Sequence, residues 1–341
     1  MDKKQKFTFL MEHFSSSLNS QHLLPHNLGS IPGGFNMNDL SKLFGEECVI
    51  GKTSKLLAPY VELHHHDFYE ILYIKKGSFK FTVDEKNYEI NPGDMVLITP
   101  TTLHVLDNLT TADCERIIIN FSDSFIDKLS SPNTDLKAVF KKVDKSKNYC
   151  ISFRNEAQKR VENYLGILLD TQFSEKYGED LLFKIKLIQL LLLINSTYEN
   201  SEDLEIPVEN HVISQAIEFI NNNLDKSFII DDIAAYANVS PSTMSHTFKD
   251  QTGISIYRYI TKKRMVLAKK LIKENINFSQ IYTMCGYNEY TSFFRAFKKE
   301  YGVTPKDFYN TYSSLTHKWK NCRITYSFFL AFIAYSSLLA Y

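Results

Sequence analysis

From about Leu56 to Phe121 short apolar runs alternate with polar turn signals: Tyr69 to Ile74, Lys76-Gly77, Phe79 to Val83, Asp84 to Asn87, Asn91-Pro92-Gly93-Asp94, then Met95 to Ile98. Strand-length runs this close together, with no helical run between them, predict antiparallel β structure, a barrel or a sandwich. Beyond them the apolar spacing becomes helical, from about Arg154 to Thr171 and from Leu181 to Tyr198. The second stretch is apolar almost all round (Leu181, Leu182, Phe183, Ile185, Leu187, Ile188, Leu190 to Ile194). Such a helix must be buried, against its own sheet or against a second subunit. Ser201 to Pro207 is acidic and ends in proline, as an interdomain linker does.

From Asn210 to about Tyr312 helical patterns repeat with tight turns. Asp231 to Lys249 reads as helix, turn, helix: Asp231 to cap the first helix, Ile233, Ala234 and Ala237 as its buried stripe, and Asn238 as the left-handed turn residue. Ser240 then caps the second helix with Pro241 at its first position. Met244 and Phe248, one turn apart, point inward, which leaves Ser242, Ser245, His246 and Lys249 on the outer face. The pattern returns in Phe278 to Lys299, with Gly286 as the turn, Asn288 as the cap and Phe293 with Phe297 as the inward pair. Tyr290, Thr291, Phe294, Arg295 and Lys298 face outward. The helix between the units, about Ile256 to Ile272, would hold two reading heads at the spacing of successive major grooves, roughly 34 Å.

Charge sharpens this. The whole chain has 39 basic and 39 acidic residues, so it shows no global affinity for polyanions. Between Lys249 and Lys306, however, twelve Lys or Arg face only Asp250, Glu274, Glu289 and Glu300, the local excess that phosphate contacts need. The cysteines, Cys48, Cys114, Cys150, Cys285 and Cys322, are scattered and never paired as CxxC. That suits a reducing cytoplasm and argues against a disulfide framework or a zinc knuckle. The apolar run Phe7 to Met11 is too short for a secretory signal.

Together these residues resemble the AraC/XylS family of transcription regulators. The second unit carries Ile281, Cys285-Gly286-Tyr287, Phe293, Arg295, Phe297-Lys298-Lys299, Gly302, Thr304-Pro305 and Phe308. The first carries Ser240, Phe248-Lys249 and Gly253, followed by Arg264, Ala268 and Leu271. The resemblance implies a seven-helix domain that sets two recognition helices in adjacent major grooves of double-stranded DNA. Its base-facing residues would be Ser242, Ser245 and His246, then Tyr290, Thr291, Phe294 and Arg295, with Lys249 and Lys298 beside them. His246 stands where the family often has Arg, which implies a weaker hold on guanine there. It further implies RNA polymerase as a partner, a homodimer, and an effector bound in the N-terminal domain.

In that half, His64-His65-His66-Asp67-Phe68-Tyr69-Glu70 and Gly77 resemble in spacing the first cupin motif, in which two His and a Glu project into a barrel and bind a metal. Gly93, Pro100 and His104 give part of the second. Ala58 replaces the usual opening glycine, and Thr101-Thr102-Leu103 lacks one. The expectation is therefore an effector pocket offering His64, His66, Glu70, Tyr73 and His104 as polar groups, without metal, cofactor or catalysis. His65, opposite in parity, is expected to be exposed. A metal-dependent cupin enzyme with an accessory DNA-binding domain is the rival reading.

The expected fold is α+β with two domains: an N-terminal cupin-like antiparallel β-barrel plus a helical linker, and a C-terminal all-α domain with two helix-turn-helix units. The divisions are an N-terminal arm (1–47), the barrel (48–125), a helical dimerisation region (150–200), a linker (201–209), the DNA-binding domain (210–312) and a hydrophobic tail (313–341). In the tail, Trp319 and three cations precede eighteen uncharged residues, Ile324 to Tyr341. At 1.5 Å per residue that is about 27 Å of helix, marginal for a hydrocarbon core, so membrane contact through 324–341 is an alternative to a helix packed on the protein.

Overall fold

A computed structural model describes residues 48–53, 63–83, 86–109, 114–200, 211–310 and 312. The expected arm, linker and tail lie outside them. Among the described residues the N-terminal part has eight strands and four helices: β1 (Cys48–Thr53), β2 (Tyr69–Lys76), β3 (Phe79–Val83), β4 (Lys86–Ile90), β5 (Asp94–Ile98), β6 (His104–Asn108), β7 (Glu115–Phe121), α1 (Asp123–Leu129), α2 (Ala138–Ser146), β8 (Cys150–Ser152), α3 (Asn155–Thr171) and α4 (Glu179–Asn200). The turns predicted at Gly77 and Gly93 both have positive φ, 81° and 90°.

The strands are antiparallel as expected, yet among the described residues they do not close into a barrel. They form a five-stranded sheet, β1-β7-β2-β5-β8, and a three-stranded sheet, β4-β3-β6. Strand pairing makes two sheets, and strand parity assigns the faces of the larger one. In the larger sheet Ile71 pairs with Ile119 and Leu97, and Tyr73 with Ile117 and Met95, so this row faces one side. The Tyr73 hydroxyl donates to Glu162 Oε1 of α3 at 2.9 Å, which identifies that side as the helical one. Glu70 and Leu72 belong to the opposite row. A sheet covered on both faces is apolar at nearly every position, as β5, buried throughout, shows.

Helix α4 resolves its own all-round apolarity into two stripes. Leu187, Leu190, Leu191 and Ile194 are fully buried in the sheet-and-helix core. Leu181, Ile185 and Leu192 are exposed, and their spacing places them on one other face.

The C-terminal part is helical: α5 (His211–Asn222), α6 (Ile230–Tyr236), α7 (Pro241–Thr252), α8 (Ile256–Lys273), α9 (Phe278–Met284) and α10 (Tyr290–Tyr301), with residues 305–310 helical again. Its apolar side chains divide into two clusters. Ile233, Met244 and Phe248 gather around the start of α8, and Ile281, Phe293 and Phe297 around its end. Helix α8 supplies Ile256 and Tyr259 to the first cluster and Met265, Ala268 and Ile272 to the second, so it is the spine of both.

Candidate nucleic-acid interface and ligand site

Each helix-turn-helix is built by local chemistry. Asn238 has φ 54° and Gly286 φ 70°, which turns the chain between helices as expected. Ser240 Oγ accepts from Thr243 N at 3.1 Å with Pro241 behind it. Two caps differ from expectation. Asp232, not Asp231, accepts from the Ile229 amide at 2.9 Å, because α6 begins at Ile230 and Asp232 is then the third helical residue, within reach of the cap. Helix α10 begins after Glu289 rather than at an Asn288 cap, and Glu289 makes no side-chain capping bond.

Inward and outward faces separate as expected. Met244, Phe248, Phe293 and Phe297 are fully buried, while Ser242, Ser245, His246, Lys249, Tyr290, Thr291, Arg295 and Lys298 are exposed and Phe294 is half-buried. His246 Nδ1 lies 2.8 Å from Asp250 Oδ2, so its ring is tethered along the helix. The two heads are cross-braced by Glu300 of α10, which is 1% exposed. It accepts from Arg258 Nη1 at 2.8 Å and Lys262 Nζ at 3.0 Å, both on α8. Both cations lie on α8, so Glu300 ties the second helix-turn-helix to the helix against which the first also packs.

In the N-terminal part the segment at 63–68 is tied to the strand end at His104. His64 N donates to His104 O at 3.0 Å, His104 N donates back at 2.9 Å, and Thr101 N donates to His66 O at 2.7 Å. This brings His66, Glu70 and His104 together, with one ligating atom of each within 4.8 Å of the others. The His64 ring lies 4.4 Å from that of His104. Tyr73 does not join them, because it is an odd number of positions from Glu70 and therefore faces α3. Burial and the neighbouring His64 and His66 hold the His104 imidazole well below the ordinary histidine range. Arg116, which the sequence reading missed, is also buried, its guanidinium 5.8 Å from the Phe79 ring centre. A cation at a regular position of an apolar strand was the available signal.

The same segment meets the helical half. His65 is fully buried, not exposed: it does point opposite to its neighbours, but toward Tyr301, whose hydroxyl is 3.4 Å from His65 Nε2. Burial and the nearby Lys269 lower its pKa well below the ordinary value. Asp67 accepts from Lys269 Nζ at 2.8 Å and Lys273 Nζ at 2.6 Å. Burial would raise this carboxyl, yet the two ammonium groups outweigh it and hold it well below the usual range. Leu63, Leu103 and Val105 pack into the same cluster as Met244 and Phe248, and Asn87 donates to Gln251 Oε1 at 3.2 Å. These loops thus touch the first helix-turn-helix unit and α8.

Comparison with known proteins finds two families in the chain. The AraC-like ligand binding domain family matches residues 57–146, and the helix-turn-helix domain family matches residues 233–311. The HTH-type transcriptional activator RhaS of Mannheimia succiniciproducens is 26% identical over 251 residues, covering 72% of this chain and 87% of its own. RhaR of Pectobacterium atrosepticum is 20% identical over 251 residues, covering 72% and 85%. Among solved structures, apo ToxT of Vibrio cholerae overlaps 78% of this chain and 97% of its own at 16% identity, with a TM-score of 0.36.

Proposed function

Since the chain is an AraC-type transcription regulator, with a ligand-binding domain ahead of a helix-turn-helix DNA-binding domain, we propose that it reads its operator with α7 and α10. Ser242, Ser245, His246 and Lys249 form the first contact surface, and Tyr290, Thr291, Phe294, Arg295 and Lys298 the second. Arg295 is the residue best suited to a bidentate contact with guanine; the lysines suit phosphate. The observation that carries this reading is the pair of exposed faces on one braced spine, each backed by a buried aromatic or Met-aromatic pair.

The effector lodges between the two sheets, where His64, His66, Glu70 and His104 supply the polar groups, and its occupancy reaches the reading heads through the adjoining contacts of His65 and Asp67. That is a population shift, so the effector must bind the states with different affinity. The protein works as a homodimer through α4, in the cytoplasm, with RNA polymerase as its second partner. It acts by binding and not by catalysis, which fits relatives that are transcription regulators. Footprinting of genomic fragments tests the reading: protection over two adjacent major grooves is expected from wild type and not from Arg295→Ala. Equal affinity for all sequences at physiological salt would overturn it.

A further inference from the structure

We propose that His66, Glu70 and His104 bind a divalent first-row transition metal ion, an assignment that replaces the expectation of a metal-free pocket. Their ligating atoms converge within 4.8 Å, with His66 Nε2 3.4 Å from Glu70 Oε2. Convergence alone is common among buried polar residues; the orientation of the rings is what selects a metal.

His66 Nδ1 lies 2.9 Å from the Phe68 carbonyl oxygen, and His104 Nδ1 lies 2.9 Å from the Thr102 carbonyl oxygen. A carbonyl only accepts, so each Nδ1 carries a proton, and the lone pair open to a metal is the one at Nε2. Both Nε2 atoms are buried and accept no hydrogen bond, and the carboxylate facing them is itself an acceptor. Two Nε2 lone pairs and a carboxylate turned toward one point form a buried acceptor set that a cation satisfies. Backbone carbonyls on the far side of each ring are the outer-shell arrangement that fixes metal-binding histidines.

The framework is preset for this task. The paired bonds between His64 and His104 and the bond from Thr101 N hold both histidine backbones, and the His66 ring stacks on Phe68 at 4.0 Å. Two imidazoles and one carboxylate suit zinc, cobalt, iron, nickel or manganese better than calcium or magnesium. Three protein ligands leave positions open, so an effector with an oxygen or nitrogen donor completes the coordination. The metal site stands independently of DNA binding. Only its consequence for the reading heads, through Asp67 next to His66, rests on the regulator reading.

The test uses the full chain, stripped with a chelator and titrated with Co(II). Saturation at about one ion per chain is expected, with the intense visible absorption of a low-coordinate site and competition by Zn(II). His104→Ala should abolish the absorption. Glu70→Gln, which keeps the size of the side chain, should weaken binding by at least the roughly 10- to 100-fold that even an outer-shell loss costs. Circular dichroism separates loss of a ligand from loss of the fold, and Glu70→Gln keeps the test valid if His104→Ala misfolds. Folded wild type whose spectrum matches the free aquo ion, or binding unchanged by both substitutions, overturns the site. Operator binding measured in parallel reports on the regulator reading by itself.

Discussion

Asp67 and Lys269, 202 residues apart, meet as a buried ion pair with 2.8 Å between Oδ1 and Nζ, and Lys273 holds the other carboxylate oxygen at 2.6 Å. The acid follows His66 of the buried His-Glu cluster; the cations lie on α8, against which both helix-turn-helix units pack. Replacing Asp67 with Asn should take a carboxylate away from Lys269, 6% exposed at its side chain. Removing one partner of a buried pair costs roughly 3–5 kcal/mol. Differential scanning calorimetry of Asp67→Asn is therefore expected to show a lower-melting helical domain. An unshifted transition would mean that the seam contributes nothing.

Glu300 poses the same question within the DNA-binding domain. At 1% exposure between Arg258 and Lys262, its loss in Glu300→Gln takes a carboxylate away from Lys262, itself 2% exposed. A destabilisation of about 3 kcal/mol is expected by chemical denaturation. Because the brace joins α10 to α8, operator affinity should also fall even where the variant is fully folded. Reduced stability with unchanged affinity would restrict Glu300 to a packing role.

Gly286 stands at φ 70°, and the space around it is as demanding as its backbone. A Cβ there would come within 2.5 Å of the Leu224 carbonyl oxygen and of Arg264 Nη2, and within 2.7 Å of the Lys226 oxygen. Arg264 cannot simply withdraw: it donates to Lys226 O at 2.6 Å and lies over the Phe228 and Tyr287 rings. Gly286→Ala should therefore cost more than the roughly 1–3 kcal/mol of left-handed strain alone, read as a shifted denaturation midpoint. Asn238→Gly, at φ 54° with an exposed side chain, should cost far less.

These contrasts show which parts of the molecule were legible in the sequence. Both helix-turn-helix units were, because Met244 with Phe248 and Phe293 with Phe297 are neighbours on a single helix and the turns need Asn238 and Gly286 within a few residues. The separation of Tyr73 from Glu70 was available from parity, since an odd spacing on one strand sends two side chains to opposite faces. The fates of His65 and Asp67 were not. Their partners Tyr301, Lys269 and Lys273 come from another domain, and nothing local distinguishes a buried seam from a solvated strand end. Two sheets in place of a barrel likewise follow from which strands pair, and alternation within a strand carries no record of that.

On α4, Leu181, Ile185 and Leu192 remain 58%, 51% and 44% exposed, and they share one face. Apolar stripes of this kind mark protein contacts in soluble chains. With α4 as the proposed dimer contact, wild type should sediment as a dimer and Ile185→Glu as a monomer in analytical ultracentrifugation, without a lower melting temperature, because the buried stripe through Leu187, Leu190, Leu191 and Ile194 is untouched. Monomeric wild type at micromolar concentration would remove α4 as the dimer contact.

Arg295 and Lys298 lie one turn apart on the exposed face of α10, yet their substitution should produce different signatures. A guanidinium that reads a guanine edge contributes discrimination, so Arg295→Ala should lose roughly 1–3 kcal/mol against the cognate site and little against random DNA. An ammonium on phosphate contributes no sequence information, so Lys298→Ala should weaken binding to all duplexes alike. It should also reduce the slope of log affinity against log salt by about 1, as one fewer counterion is released. Fluorescence anisotropy across a salt series, with cognate and scrambled duplexes, separates the two. If Arg295→Ala proved as indifferent to sequence as Lys298→Ala, base reading would have to lie with Tyr290, Thr291 and Phe294, and α10 would bind its groove by shape and stacking rather than by a guanidinium.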